Sequence, residues 1–96
     1  MHAVVAEFEM PEPQGEHLEY LDGIVARISQ EAGFVTGYWT HDGEKAYNVL
    51  IFDSAEAAEA RAADVRGNAA NQRAAGLSPT LVTVARVVAH ATGPVS

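Results

Sequence analysis

The stretch Gly33–Ser54, GFVTGYWTHDGEKAYNVLIFDS, decides the architecture of this 96-residue chain. Phe34–Thr40 and Ala46–Phe52 are rich in aromatic and β-branched residues, so each reads as a strand. Asp42-Gly43 between them signals a hairpin, because a type I′ turn needs positive φ at its centre. Asp53 then reads as an N-cap, with Glu56 three residues later completing a capping box.

Working outward, Val4, Val5 and Phe8 give His2–Met10 its strand character, and Pro11 and Pro13 stop it. Gln14-Gly15 leads into a helix over about Glu16–Ala32. There Leu18, Leu21, Val25, Ile28 and Ala32 recur at spacings of three and four, on one face. Glu16, Glu19 and Asp22 stand early, where the helix dipole favours anions, and Gly33 suits the left-handed residue that ends it. A second, alanine-rich helix is expected from about Ser54 to Ala75, with Gly67 marking a bend or a break. Gly76 and Pro79 close it, Thr80–Ala91 forms the last strand, and Thr92–Ser96 reads as a loose tail. The order β-α-β-β-α-β predicts an α+β, ferredoxin-like fold: a four-stranded antiparallel sheet with two helices on one face.

The length suits one domain, residues 1–96, and 48% hydrophobic residues suit a folded core rather than a disordered chain. Six basic against thirteen acidic residues give a net charge of −7, which disfavours nucleic acid as a partner. The lack of cysteine excludes disulfides, a thiolate nucleophile and Cys-zinc sites. MHAVVAEFEMPEP has no basic segment followed by a long apolar run, so no signal peptide is expected, nor any membrane span. The expectation is a soluble, cytoplasmic protein.

Both faces of the sheet read as apolar. In the third strand Tyr47, Val49 and Ile51 alternate with Asn48, Leu50 and Phe52. In the fourth, Leu81, Thr83, Ala85 and Val87 alternate with Val82, Val84, Arg86 and Val88. Two helices cover one face, which leaves the other for a second copy in a two-fold dimer. The structural alternative is a monomer with an uncovered apolar sheet.

The element order, Gly33-Phe34-Val35-Thr36-Gly37-Tyr38, and Leu50-Ile51-Phe52-Asp53-Ser54 running into an Ala/Glu-rich helix resemble the dimeric α+β barrel superfamily. Within it the likeness is to the antibiotic-biosynthesis-monooxygenase group, and it spans nearly the whole chain. The resemblance implies a homodimer whose sheets join into one barrel, with a ligand pocket between each sheet and its helices. Relatives of this kind include cofactor-independent oxygenases, haem-degrading enzymes, isomerases and proteins without known activity. The haem-degrading pattern wants Asn, Trp and His where this chain has Phe8, Phe52 and Asn71. Without an axial histidine, haem degradation is disfavoured.

If Phe52 faces the pocket, alternation adds Asn48 and Leu50, and a hairpin loop of two or four residues adds Gly37, Trp39 and His41. Phe8 follows from the first-strand match, and Arg86 and His90 join if His2 pairs opposite His90. The candidate substrate-binding set is therefore Phe8, Trp39, Asn48, Phe52, Arg86 and Asn71, with Asn68 an alternative to Asn71. The mixture suits a flat, partly polar organic ligand.

Each residue has a purely structural alternative. Trp39 serves equally as a core or interface aromatic, Asn48 as a backbone bonder, and Arg86 as half of an ion pair. His41 is expected in solvent, and Glu7, on the opposite face, needs a hydrogen-bond partner if buried. The small side chains of the second helix either leave room for a ligand or let the helix sit close to the sheet. The four histidines show no metal-ligand spacing, and no phosphate loop or Ser-His-acid grouping is present. No metal, cofactor or catalytic residue is therefore assigned. Two functions remain open: a cofactor-free monooxygenase acting on a small aromatic or polycyclic molecule, or a non-catalytic binding protein of the same fold.

Overall fold

A computed structural model describes residues 1–10, 16–74, 76 and 78–94. The proline stop at Pro11 and Pro13, the Gln14-Gly15 lead-in, Ala75 and the tail residues Val95 and Ser96 lie outside the described residues. So do the side chains of Glu16, His17 and Leu18. The elements are β1 (His2–Glu9), α1 (Glu16–Ile28), β2 (Phe34–Asp42), β3 (Lys45–Phe52), α2 (Ala55–Gly67), α3 (Ala69–Ala74) and β4 (Ser78–Arg86). The strands form one antiparallel sheet in the order β2-β3-β1-β4, the ferredoxin-like arrangement.

Cross-strand register sorts the sheet into rows. Trp39, Asn48, Ala6 and Val82 stand side by side, flanked by the row Gly37, Leu50, Val4 and Val84. These rows face the helices. Val4, Leu50 and Phe52 pack with Ile28 of α1 and with Ala58 and Ala62 of α2 in the main core. Ala6, Phe8, Ala46 and Val65 form a second cluster. On α2 the buried residues are Ala58, Arg61, Ala62 and Val65, a three-four stripe. Ala58 and Ala62 are fully enclosed, so their small side chains bring the helix close to the sheet.

Several local details differ from expectation. The hairpin turns on Gly43-Glu44, with Asp42 paired to Lys45. Gly43 alone has positive φ there, which is the type II′ pattern rather than I′. The N-cap of α2 is Ser54, whose Oγ accepts from the Ala57 N–H at 3.1 Å, while the Asp53 N–H is spent on the Gly33 carbonyl at 2.8 Å. The long second helix breaks after Gly67, at Asn68. α1 stops at Ile28, so Ala32 is exposed in the following turn instead of on a helical stripe.

β4 ends at Arg86, which pairs with His2, and beyond it the Val87 N–H donates to the Met1 carbonyl.

Gly33 has φ +83°, and a Cβ there would lie 2.5 Å from Asp53 Oδ1 and 3.0 Å from Ala57 Cβ. Gly33→Ala is expected to destabilise the fold by about 2 kcal/mol, through left-handed strain and collision together. Gly43→Ala, at φ +65° on an open tip, is expected to cost about 1 kcal/mol, from strain alone. Urea denaturation of both variants measures the difference.

Candidate functional site

Between the sheet and the helices lies a cavity of about 330 Å³, within the usual range for small-molecule sites. Its floor is built from Trp39, Asn48 and Ala6, with Leu50 and Val4 toward one end and His41, Ala46 and Phe8 toward the other. Alternation along β1 and β3 puts Phe8 and Asn48 on this face. Along β2 a bulge intervenes: Phe34 pairs with Phe52 and Thr36 with Ile51, leaving Val35 as the extra residue. The bulge lets Phe34 and Trp39, which differ in parity, both turn toward the helices.

The roof comes from α1, through Leu21, Ile24 and Ile28, with Tyr20 and Arg27 at its margin. The side wall comes from α2 and α3, through Arg61, Val65, Asn68, Asn71 and Gln72. The break at Asn68 turns the chain, so three amide side chains collect beyond the end of α2.

Phe8, Trp39, Asn48, Asn68 and Asn71 therefore line one cavity. Phe52 and Arg86 do not join them. Phe52 is 1% exposed, in the core, its ring edge-on to Phe34 at 5.7 Å between centroids. Arg86 pairs opposite His2, four positions from the register that would have placed His90 there. It has the expected parity but stands exposed at the end of the sheet. His90 lies past the strand, also exposed.

His41 is half-buried on the cavity wall rather than free in solvent, with Nε2 3.1 Å from the Met10 carbonyl. In the neutral ring that bond places the proton on Nε2 and leaves Nδ1 as an acceptor.

Arg61 was not among the residues the sequence suggested. It is 8% exposed, and its Nη1 donates to Glu31 at 2.8 Å while Nη2 lies 3.7 Å from Asp64. The signal was there to find: an arginine inside the stripe 58, 61, 62, 65 must be buried unless the helix turns away. Arg27, between Ile24 and Ile28 on α1, is exposed and reaches the cavity at its margin.

The opposite face carries the row Tyr38, Val49, Val5 and Thr83, and next to it Thr40, Tyr47, Glu7 and Leu81. Tyr38, Tyr47, Val49 and Leu81 are all exposed. Glu7 accepts a hydrogen bond from Lys45 Nζ at 3.0 Å. That bond, then the charge of Glu7, raises the Lys45 pKa above its ordinary value. The pairing is intact below the usual lysine range and fades only as pH rises through the raised value.

Among the described residues, no helix is long and apolar enough to cross a membrane. No family model matches the chain, and no curated protein matches it in sequence. Solved structures do match in shape. MupZ from Pseudomonas fluorescens is similar over 86% of this chain and 69% of its own, at 16% identity and a TM-score of 0.62. A candidate antibiotic biosynthesis monooxygenase from Deinococcus radiodurans is similar over the full length of both chains, at 15% identity and a TM-score of 0.60. At such low identity the likeness speaks for architecture alone, and the chain has the ferredoxin-like α+β fold that these two structures share.

Proposed function

We propose that the protein is a single-domain homodimer that binds a flat, partly polar aromatic molecule between sheet and helices and oxidises it with dioxygen, without a cofactor. The observation that supports this most is the cavity itself. It is apolar over most of its wall, has the aromatic rings of Phe8 and Trp39 with Tyr20 at its margin, and has polar groups at defined points. Trp39 and Phe8 supply ring faces and edges for stacking. Asn48, mid-floor on β3, supplies a donor to a carbonyl oxygen whose charge grows as the ring system is deprotonated.

The reaction on this reading converts a CH₂ group between two rings into a ketone. The carbon loses two hydrogens and gains one oxygen atom from dioxygen, and the second oxygen leaves as water. The substrate supplies all the electrons, so no external reductant is needed. Nδ1 of His41 is the described cavity group best placed by its tautomer to accept the first proton.

One observation favours a second reading, a binding protein without turnover. Among the described residues no carboxylate lines the cavity, so the site lacks the acid–base pair that many enzymes use. Oxygen uptake with anthrone as substrate separates the two. The expected result is uptake that falls at least about tenfold in His41→Ala and in Asn48→Ala, the scale for losing one positioned proton acceptor or oxyanion donor. Binding of anthrone with no uptake above buffer supports the second reading instead.

A further inference from the structure

We infer that the cavity takes an aromatic anion: an elongated molecule with an acidic oxygen at the end bounded by Arg27 and Arg61 and a hydroxyl group at the end bounded by Gln72. This inference deepens the proposed function and rests on the cavity being a ligand site.

The charge distribution is the first support. The chain carries −7 overall, yet among the described residues the charged side chains lining the cavity are Arg27 and Arg61, with no acid. A neutral ligand would give no reason for that reversal. Arg61 is largely balanced by Glu31, so its contribution is a directed donor rather than net charge. Arg27 makes no ion pair among the described residues, and from the exposed margin of the cavity it adds one positive charge.

The second support is hydrogen-bond accounting. Arg61 is more than nine-tenths buried. Its Nη atoms face Glu31 and Asp64, but its Nε is buried with no partner among the described residues. The carbonyl oxygen of Gln72, Oε1, is buried and unpartnered in the same way. An unsatisfied buried donor or acceptor costs about 1–3 kcal/mol, so native proteins seldom leave one without cause. Both residues border the same cavity. An oxygen acceptor meets the arginine N–H, and a hydroxyl donor meets the glutamine carbonyl.

Geometry gives the length. Arg61 lies within α2, and Asn68, the first of the three cavity amides, lies seven residues further along. At the helical rise this is about 10 Å. The ligand therefore spans about the length of α2's second half, with its ring over Trp39 and Phe8.

Isothermal titration with 6-hydroxy-2-naphthoate, 6-hydroxy-2-naphthamide and 2-naphthoate tests each part. The hydroxy acid is expected to bind at least about tenfold tighter than its amide, the scale of a charge-assisted hydrogen bond. Arg27→Gln and Arg61→Lys are each expected to weaken the acid about fivefold or more while leaving the amide within about twofold. Arg61→Lys keeps a cation for Glu31 and removes the Nε–H, and Arg27→Gln changes an exposed residue, so folding is preserved in at least one variant. Equal binding of acid and amide overturns the anion inference and leaves the cavity reading standing. Loss of all binding overturns both. An acid preference that survives both substitutions places the anion elsewhere and overturns this assignment. Binding of 2-naphthoate as tight as that of the hydroxy acid overturns the role of Gln72.

Discussion

Phe52→Ala is expected to remove about 4 kcal/mol of stability, within the range for emptying a buried phenylalanine site. The ring is 1% exposed and touches the core from β3, between Phe34 and the alanine stripe of α2. Its edge-on contact with Phe34 adds to simple burial. A chain of this length has about 5–14 kcal/mol in total, so the variant loses a large share of it. The melting temperature is expected to fall by about 20 °C, read by circular dichroism. Phe8→Ala should behave differently. Its ring borders a space already open, so truncation enlarges that space, at an expected loss of about 2–3 kcal/mol, with the effect showing as weakened ligand binding. If Phe52→Ala melts within 5 °C of the parent, about the shift that 1 kcal/mol produces, then Phe52 is not part of the core as described.

Val49→Lys is expected to convert a homodimer into monomers. Val49 stands at the centre of the helix-free face, between Tyr38 and Val5. In the proposed dimer, a charge buried there against the partner's sheet would have to be desolvated without a partner, at several kcal/mol. In the isolated chain the same residue is already exposed, so the subunit's own stability should move by about 0.5 kcal/mol or less. Light scattering behind size exclusion reads the outcome. The parent should run at twice the 10.2 kDa chain mass and the variant at the chain mass. A parent that stays monomeric at millimolar concentration removes the dimer from the proposal while leaving the cavity of each subunit untouched.

Sequence pattern carried far in this chain where two constraints agreed. Asp42-Gly43 and the alternation around it placed Trp39, His41 and Asn48 on one face, and the structure has them there although the turn is of another type. The face each side chain takes depends on parity, and a two-residue loop preserves the pairing that carries parity from one strand to the next. Pattern failed where a partner segment decides. β4 stops at Arg86, opposite the first residue of β1, although its apolar composition runs on. His41 is held because the Met10 carbonyl comes up beside it, a contact between residues far apart in sequence. The bulge at Val35 was invisible to alternation, since it exists only in relation to β3. Arg86 attracted notice as a charge in an apolar strand, whereas Arg61 hid inside a helix whose overall amphipathicity is weak. The stripe it belongs to is made of alanines, and small residues mark a buried face less loudly than leucines do.

The sequence has a single tryptophan, and the fold has set it in the wall where a guest would lie. The molecule therefore carries its own optical probe. Indole emission moves to shorter wavelength when water leaves its surroundings, so filling of the cavity can be followed on unlabelled protein, while events on the helix-free side leave that signal unchanged.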